Sequence, residues 1–264
     1  MTDVRLTHIG GPTVLIELGP WRILTDPTFD PPGKRYPFAL GTSSVKVGGP
    51  AVPVRDLPPI DVVLLTHDHH ADNLDDAGRE LLRSAREIVT TVPGAKRLGP
   101  RAYGLAPWAT RVLERPGYPS IEVTATPCRH GPPASRWLVG HVIGFALKWE
   151  GQQHGAFWIS GDTVFYSGMR EVASRLRIGT ALLHLGGVRF PLTGPLRYTM
   201  TASDAIRICR MVRPNVAIPV HYEGWSHFQE GKSAIERAFA ASAEPAIVER
   251  IRWIPLGTPA VVST

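Results

Sequence analysis

Three histidines and two aspartates crowd one short span, His67-Asp68-His69-His70-Ala71-Asp72, with Asn73 directly after it. Neutral imidazole and carboxylate are the usual ligands of zinc and neighbouring divalent ions, and three or four must converge within about 2.0–2.2 Å of the ion. The span follows a short apolar run, Asp61 to Leu65, that reads as a strand buried on both faces. A tight loop leaving such a rigid strand can aim several side chains at one point. A lone histidine is usually a solvated or carbonyl-held one; a cluster this dense at a strand end points to metal.

Three later positions suit the same site, each at the end of an apolar strand. His130 lies in Thr126-Pro127-Cys128-Arg129-His130-Gly131-Pro132, Asp162 in Trp158-Ile159-Ser160-Gly161-Asp162-Thr163, and His221 in Ala217-Ile218-Pro219-Val220-His221-Tyr222-Glu223-Gly224-Trp225. Singly, each has a bland alternative as a turn aspartate or a hydrogen-bonded histidine. In chain order behind the first cluster, they form a constellation. The set needs no thiolate, and metal sites made of His and carboxylate that keep an open position are catalytic ones. A bound divalent ion lowers the pKa of its water from 15.7 to about 7, so the expected chemistry is attack of metal-bound hydroxide on an ester, lactone, amide or phosphodiester centre. Asp72, His67 and Asp162 are the residues on which that catalysis should depend.

The elements that position these residues alternate between strands and helices. Leu6 to Ile9 and Thr13 to Leu18 read as strands around a Gly10-Gly11-Pro12 turn, and Trp21 to Thr25 as a third ending at Asp26-Pro27. From Thr28 to Pro59 the chain is rich in Pro and Gly without a sustained period, which suggests a lid or a substrate-binding flap. Further strands are expected at Ile88 to Val92, Ile121 to Thr126, Val142 to Trp149, Ala156 to Ser160, Ala181 to Leu185 and Val216 to Val220. Helical spacing runs through Leu74 to Ala85, Gly168 to Leu176, Ala202 to Val212 and Ser233 to Ala241, with Thr201 or Ser203 as a cap for the third. With no linker-like stretch midway, the expectation is one α/β domain over residues 1–264. In such folds ligands bind at the strand ends where the polar clusters fall.

The 264 residues are 43% hydrophobic and 20% charged, the composition of an ordinary globular protein. No apolar run approaches the ~20 residues that span a bilayer. Met1-Thr2-Asp3-Val4-Arg5 lacks a signal-peptide layout, which makes the cytoplasm the expected location. Cys128 and Cys209 offer no disulfide framework and no C-x-x-C pair, so both are expected reduced and at least partly buried. The formal charge of +6 is a weak pointer to an anionic small-molecule substrate. Lys and Arg are scattered rather than grouped among aromatics, so nucleic acid is a poor fit as a partner. Oligomeric state has no signature in the sequence.

These residues together resemble the metallo-β-lactamase superfamily, in the branch containing ascorbate-6-phosphate lactonase and the phospholipase D that acts on N-acyl phosphatidylethanolamine. The resemblance runs from Thr7-His8-Ile9-Gly10-Gly11-Pro12-Thr13-Val14-Leu15-Ile16 and Leu24-Thr25-Asp26-Pro27 to Pro219-Val220-His221. It implies a four-layer αββα sandwich with one or two metal ions, zinc first and manganese or iron as alternatives, at one edge of the sheets. It also implies His67, one of His69 and His70, and His130 around a first ion, Asp72 and His221 at a second, and Asp162 between them. The chain departs from the family's H-x-H-x-D-H pattern. One residue is added, leaving His69 and His70 as rival second ligands, and Asn73 stands where the last histidine is expected. Gly11 likewise replaces a histidine frequent in relatives.

Around the metal set, His184 in Leu183-His184-Leu185-Gly186-Gly187 is a candidate to line the pocket or bind substrate, with Tyr222 and Glu223 as further wall residues. Asp26 is a candidate to orient a ligand histidine. His8, His141, His154 and His227 carry no assignable role. The expected activity is that of a metal-dependent hydrolase. Two alternatives are a nucleic-acid phosphodiesterase of the same fold and a non-catalytic member whose site the loss at Asn73 has degraded.

Overall fold

The computed structural model describes residues 3–242 and 244–264. The first half of the chain builds β1 (Asp3–Gly10), β2 (Thr13–Leu18), β3 (Trp21–Thr25), a ribbon of β4 (Arg35–Pro37) and β5 (Ser43–Val45), then β6 (Val62–Leu64), α1 (Asp76–Leu81), β7 (Glu87–Thr91), α2 (Val92–Leu98) and β8 (Ala102–Leu105). The second half builds β9 (Thr110–Leu113), β10 (Ile121–Pro127), α3 (Arg136–Val139), β11 (Ile143–Trp149), β12 (Ala156–Ile159), α4 (Gly168–Arg175), β13 (Ile178–His184), α5 (Ala202–Val212), β14 (Val216–Val220), α6 (Lys232–Ala240), α7 (Pro245–Val248) and β15 (Ala260–Ser263). Strand order is β15-β1-β2-β3-β6-β7-β8 in one sheet and β14-β13-β12-β11-β10-β9 in the other.

Period-two alternation of apolar side chains makes the layers. Val14, Ile16, Ile23, Val62 and Leu64 point into the core between the sheets, where they meet Phe145, Leu147, Phe157, Ile159, Leu182 and Val220 of the second sheet. The residues between them, Leu15, Leu24, Val63 and Leu65, face outward onto Leu81 of α1 and Leu82. On the far side Trp158, Ala181 and Leu183 face α4, α5 and α6 through Met169, Val172, Ile206, Cys209, Ile235 and Phe239. Both faces of each central strand are therefore buried, and each fully covered Leu, Ile or Phe contributes roughly 1.5–3 kcal/mol. The result is the expected αββα sandwich.

β3, β6, β7 and β8 run parallel, as do β12, β13 and β14. β10 joins the second group in direction, because β11 is antiparallel to both β10 and β12. The carboxyl ends of β3, β6, β10, β12, β13 and β14 consequently share one edge of the sandwich, and the polar segments found in the sequence all leave from that edge. A backbone bond from Ile143 N to Thr66 O, 3.2 Å, ties the two sheets together there.

The expected strands and helices occur with ends shifted by a few residues at most, and Ala202–Val212 and Val216–Val220 match at both ends. Thr201 caps α5 through a reciprocal pair with Asp204. The helix expected over Leu74 to Ala85 is shorter, because Asp75 caps it from within that span and accepts from Gly78 N. Gly78 is required there, since a Cβ would run into the Pro27 carbonyl. Helices α2, α3 and α7 and strands β8, β9 and β15 are additions. Pro93 stands in the first turn of α2, where its missing N–H costs nothing, and Thr91 accepts from Gly94 N. The segment 28–59 holds the β4–β5 ribbon and two short 3-10 turns rather than long regular elements.

Candidate metal centre

The carboxyl end of β6 delivers His67 and His70, that of β10 delivers His130, and that of β12 delivers Asp162. His70 Nδ1 lies 3.2 Å from His67 Nε2 and 3.1 Å from His130 Nε2. Ligand atoms about 2.1 Å from one tetrahedral ion stand roughly 3.4 Å apart, so these ring nitrogens already have nearly the spacing a shared ion requires. Burial and the neighbouring imidazoles push the His67 and His70 pKa values well below the usual histidine range, and burial lowers that of His130. All three therefore carry the neutral form that ligates metal. A ligand atom of Asp162 lies within 4.8 Å of those of His67 and His130, which completes a first group.

Asp72, Asp162 and His221 make a second group. His221 Nε2 is 3.5 Å from Asp162 Oδ2 and 3.6 Å from Asp72 Oδ2. His221 sits in the left-handed region at φ 57°, unusual for a side-chain-bearing residue, and its N–H donates to Gly11 O at 2.8 Å. That strained turn after β14 aims the ring inward. Burial alone would lower the His221 pKa, but Asp162 and Asp72 raise it to about 9.

The residues fit a divalent ion for a reason visible in their hydrogen bonds. Among the described residues, both carboxylate oxygens of Asp162, Oδ1 of Asp72 and Nε2 of His221 are buried without a hydrogen-bond partner. Buried polar atoms are nearly always paired, and an unpaired carboxylate costs far more than an unpaired amide. Several orphans converging on one spot are the signature of ligands. The opposite ring nitrogens are held instead: His130 Nδ1 donates to Tyr198 O at 2.7 Å, and His67 Nδ1 lies 3.0 Å from Thr66 Oγ1. Such bonds fix the tautomer and ring angle of a metal ligand.

Asp26 supports this arrangement indirectly. Its Oδ1 accepts from Thr66 N at 2.7 Å and Thr66 Oγ1 at 3.0 Å, and Thr66 in turn holds His67. Burial raises the Asp26 pKa to about 7 against those bonds.

The structure separates the rival ligands. His70 faces both His67 and His130, whereas His69 Nε2 is taken by the Val139 carbonyl, although a ligand atom of His69 also stays within 4.8 Å of those of His67 and His70. The geometry thus favours His70. Asn73 places Nδ2 3.4 Å from Thr66 Oγ1, and its Oδ1 is buried without a hydrogen-bond partner. The expected wall residues are elsewhere. His184 is fully buried between Asp26 Oδ2, 3.3 Å away, and Ser160 Oγ, 3.4 Å away, so it has no surface to offer a substrate. Tyr222 packs against His8 and Trp253. Glu223 turns to Gly11, accepting its N–H at 2.5 Å. The pocket over His70, Asp72 and His130 is walled instead by Phe38, Leu138, Val188, Phe190, Tyr198 and His227. His227, given no role from sequence, places Nε2 2.9 Å from Asp72 Oδ2.

A family model described as "Beta-lactamase superfamily domain" matches residues 21–222. A curated UPF0173 metal-dependent hydrolase from Pelotomaculum thermopropionicum is 26% identical over 253 residues, covering 91% of this chain and 96% of that protein. Among solved structures, the isothiocyanate hydrolase from Delia radicum gut bacteria superposes with a TM-score of 0.76 at 19% identity, covering 98% of this chain and 100% of that one. CmlA, a diiron β-hydroxylase from Streptomyces venezuelae, superposes with a TM-score of 0.68 at 15% identity over 100% of this chain and 54% of its own. Likeness at these identities establishes a shared fold.

Proposed function

The chain belongs to the metallo-β-lactamase superfamily, and we propose that it is a metal-dependent hydrolase whose substrate is a small ester or lactone with an apolar flank. The observation that carries the metal dependence is the convergence of unpaired, buried ligand atoms from Asp162, Asp72 and His221 beside the His67, His70 and His130 nitrogens. The name of the relative from Pelotomaculum thermopropionicum agrees with it. Zinc suits this donor set, and iron or manganese are the alternatives. When bound, a divalent ion polarises a carbonyl oxygen and acidifies water.

The chain's own residues supply the rest. Asp72 would hold the ion or orient an attacking water: its Oδ1 has no partner, while its Oδ2 meets His227. Phe38 covers the mouth, its ring 5.5 Å from that of His70 and packed at a tilt against Phe190 at 5.3 Å. This aromatic wall excludes bulk water and receives an apolar substituent. No Lys or Arg lines the pocket, which favours a neutral carbonyl substrate over a phosphodiester. Many basic side chains elsewhere are paired with acids over the surface, as in Arg83–Glu80, Arg111–Glu87 and Arg210–Glu244, which speaks against a nucleic-acid groove. Among the described residues no helix is long and apolar enough to cross a membrane.

A second reading, an anionic ester, draws on the neighbouring cavity behind His130, where Arg129, Arg136 and His141 contribute to the wall. Turnover of a neutral aryl ester and a lactone beside a phosphodiester separates the two. The expected result is hydrolysis of the neutral substrates, lost on chelation and restored by added ion, with the phosphodiester at least ~100-fold slower. Preference for the phosphodiester would favour the second reading, and turnover indifferent to chelation would refute both.

A further inference from the structure

Asn73 stands where a ligand histidine is expected; its Nδ2 lies 3.4 Å from Thr66 Oγ1, and its Oδ1, buried without a hydrogen-bond partner, is a poorer zinc ligand than imidazole. The space beside Asp72 is filled by another histidine. His227 comes from the segment after β14, is 4% exposed, and brings Nε2 to 2.9 Å from Asp72 Oδ2. Its Nδ1 lies 2.5 Å from Ser44 Oγ of β5, which is itself 3.1 Å from Ser226 Oγ. Phe190 stacks on its ring at 5.1 Å with the planes 10° apart. His227 is therefore built like the centre's other histidines: His130 and His221 also engage a protein oxygen through Nδ1, Tyr198 O at 2.7 Å and Leu185 O at 3.4 Å, and turn Nε2 inward. A spacing of 2.9 Å between an imidazole nitrogen and a carboxylate oxygen suits two ligands of one ion as well as a hydrogen bond.

We infer that His227 replaces the missing histidine as a ligand of the second metal ion, beside Asp72, Asp162 and His221. The substitution moves the ligand from the first loop to the last, and that explains how Asn73 is tolerated. It also couples the ion to the β4–β5 ribbon through Ser44, and to the pocket wall through Phe190. This inference rests on the metal-dependent reading above, and its test is arranged so that the two can fail separately.

The test is ion stoichiometry and affinity, read by elemental analysis and by calorimetric titration of zinc into chelator-stripped protein. Wild type, His227→Ala, His227→Gln and Asn73→Ala are compared, with thermal melting to check that each variant folds. Glutamine is the informative replacement. Its amide can still donate to Asp72, so it preserves a purely positioning contact, but it ligates zinc poorly. The expected result is two ions for wild type and for Asn73→Ala, with the second weakened ~100-fold or lost in both His227 variants while the first is unchanged. Retention of the second ion by His227→Gln would overturn the inference in favour of a positioning role. Loss of the second ion in Asn73→Ala with retention in His227→Ala would overturn it in favour of the asparagine. A wild type that binds one ion would overturn it while leaving the metal-dependent reading intact, and a wild type that binds none would remove that reading as well.

Discussion

Replacing Asp162 with asparagine is expected to abolish turnover while making the metal-free protein more stable. Asp162 is fully buried, and neither carboxylate oxygen has a hydrogen-bond partner among the described residues. The nearest opposite charge is the His221 ring, with Nε2 3.5 Å from Oδ2. A buried carboxylate with neither oxygen hydrogen-bonded destabilises the empty fold. Asparagine keeps the shape and removes the charge, and His221 retains Asp72 at 3.6 Å. The gain should be about 1–3 kcal/mol. At this chain length that corresponds to a rise in Tm of roughly 2–4 °C per kcal/mol. Activity should move the other way, with kcat/KM falling at least ~1000-fold, or ~4 kcal/mol of transition-state stabilisation. Adding the ion should reverse the order of stability, since binding at about 1,000 times Kd contributes about 4.1 kcal/mol to the wild type. Steady-state kinetics and paired melting curves, with and without ion, measure each part. Near-wild-type turnover by Asp162→Asn would refute its placement at the centre.

The largest expected loss of stability comes from Asp75→Ala. Asp75 Oδ1 accepts from Phe29 N at 2.9 Å and Gly78 N at 2.8 Å, and Oδ2 accepts from Asp30 N at 2.7 Å and Lys46 Nζ at 2.6 Å. One carboxylate therefore caps α1, anchors the chain after β3 and neutralises a lysine that is 3% exposed. Removing it leaves the Lys46 ammonium buried and unpaired, which typically costs about 3–5 kcal/mol. The lost cap adds about 1 kcal/mol. Lys46→Met should cost much less, because the carboxylate keeps its backbone donors while the charge it balanced is gone. Denaturant unfolding of the two variants gives the comparison, and equal midpoints would contradict it. Phe38 belongs to the same segment, so Asp75→Ala should also raise KM through a looser pocket wall.

Much of this arrangement was legible in the sequence because it depends on local rules. The apolar runs Val14-Leu15-Ile16 and Val62 to Leu64 are sufficient to place strands, and polar residues beyond them mark the functional edge. His67, His130, Asp162 and His221 could be found from that logic. The choice between His69 and His70 could not, since both leave the same loop and only the position of the Val139 carbonyl and of His130 distinguishes them. The pocket wall was equally hidden. Phe38 and Phe190 are 152 positions apart by their numbering and meet only because separate loops fold over one edge. His184 misled for a related reason: a histidine at a strand end looks exposed in sequence, but here the Asp26 segment covers it. His227 did leave a trace. An absent histidine at Asn73 and a spare one shortly after His221 are the two halves of one substitution, joined only by the fold.

The central claim is that these residues form a hydrolytic metal centre. Its most direct test is the metal content of protein purified without chelator, determined with turnover before and after chelation. The proposed reading expects about two ions per chain, loss of ester or lactone hydrolysis when they are stripped, and recovery when zinc, manganese or iron is returned. Protein that binds no ion even after each metal is supplied, or that turns over equally well without one, would contradict it.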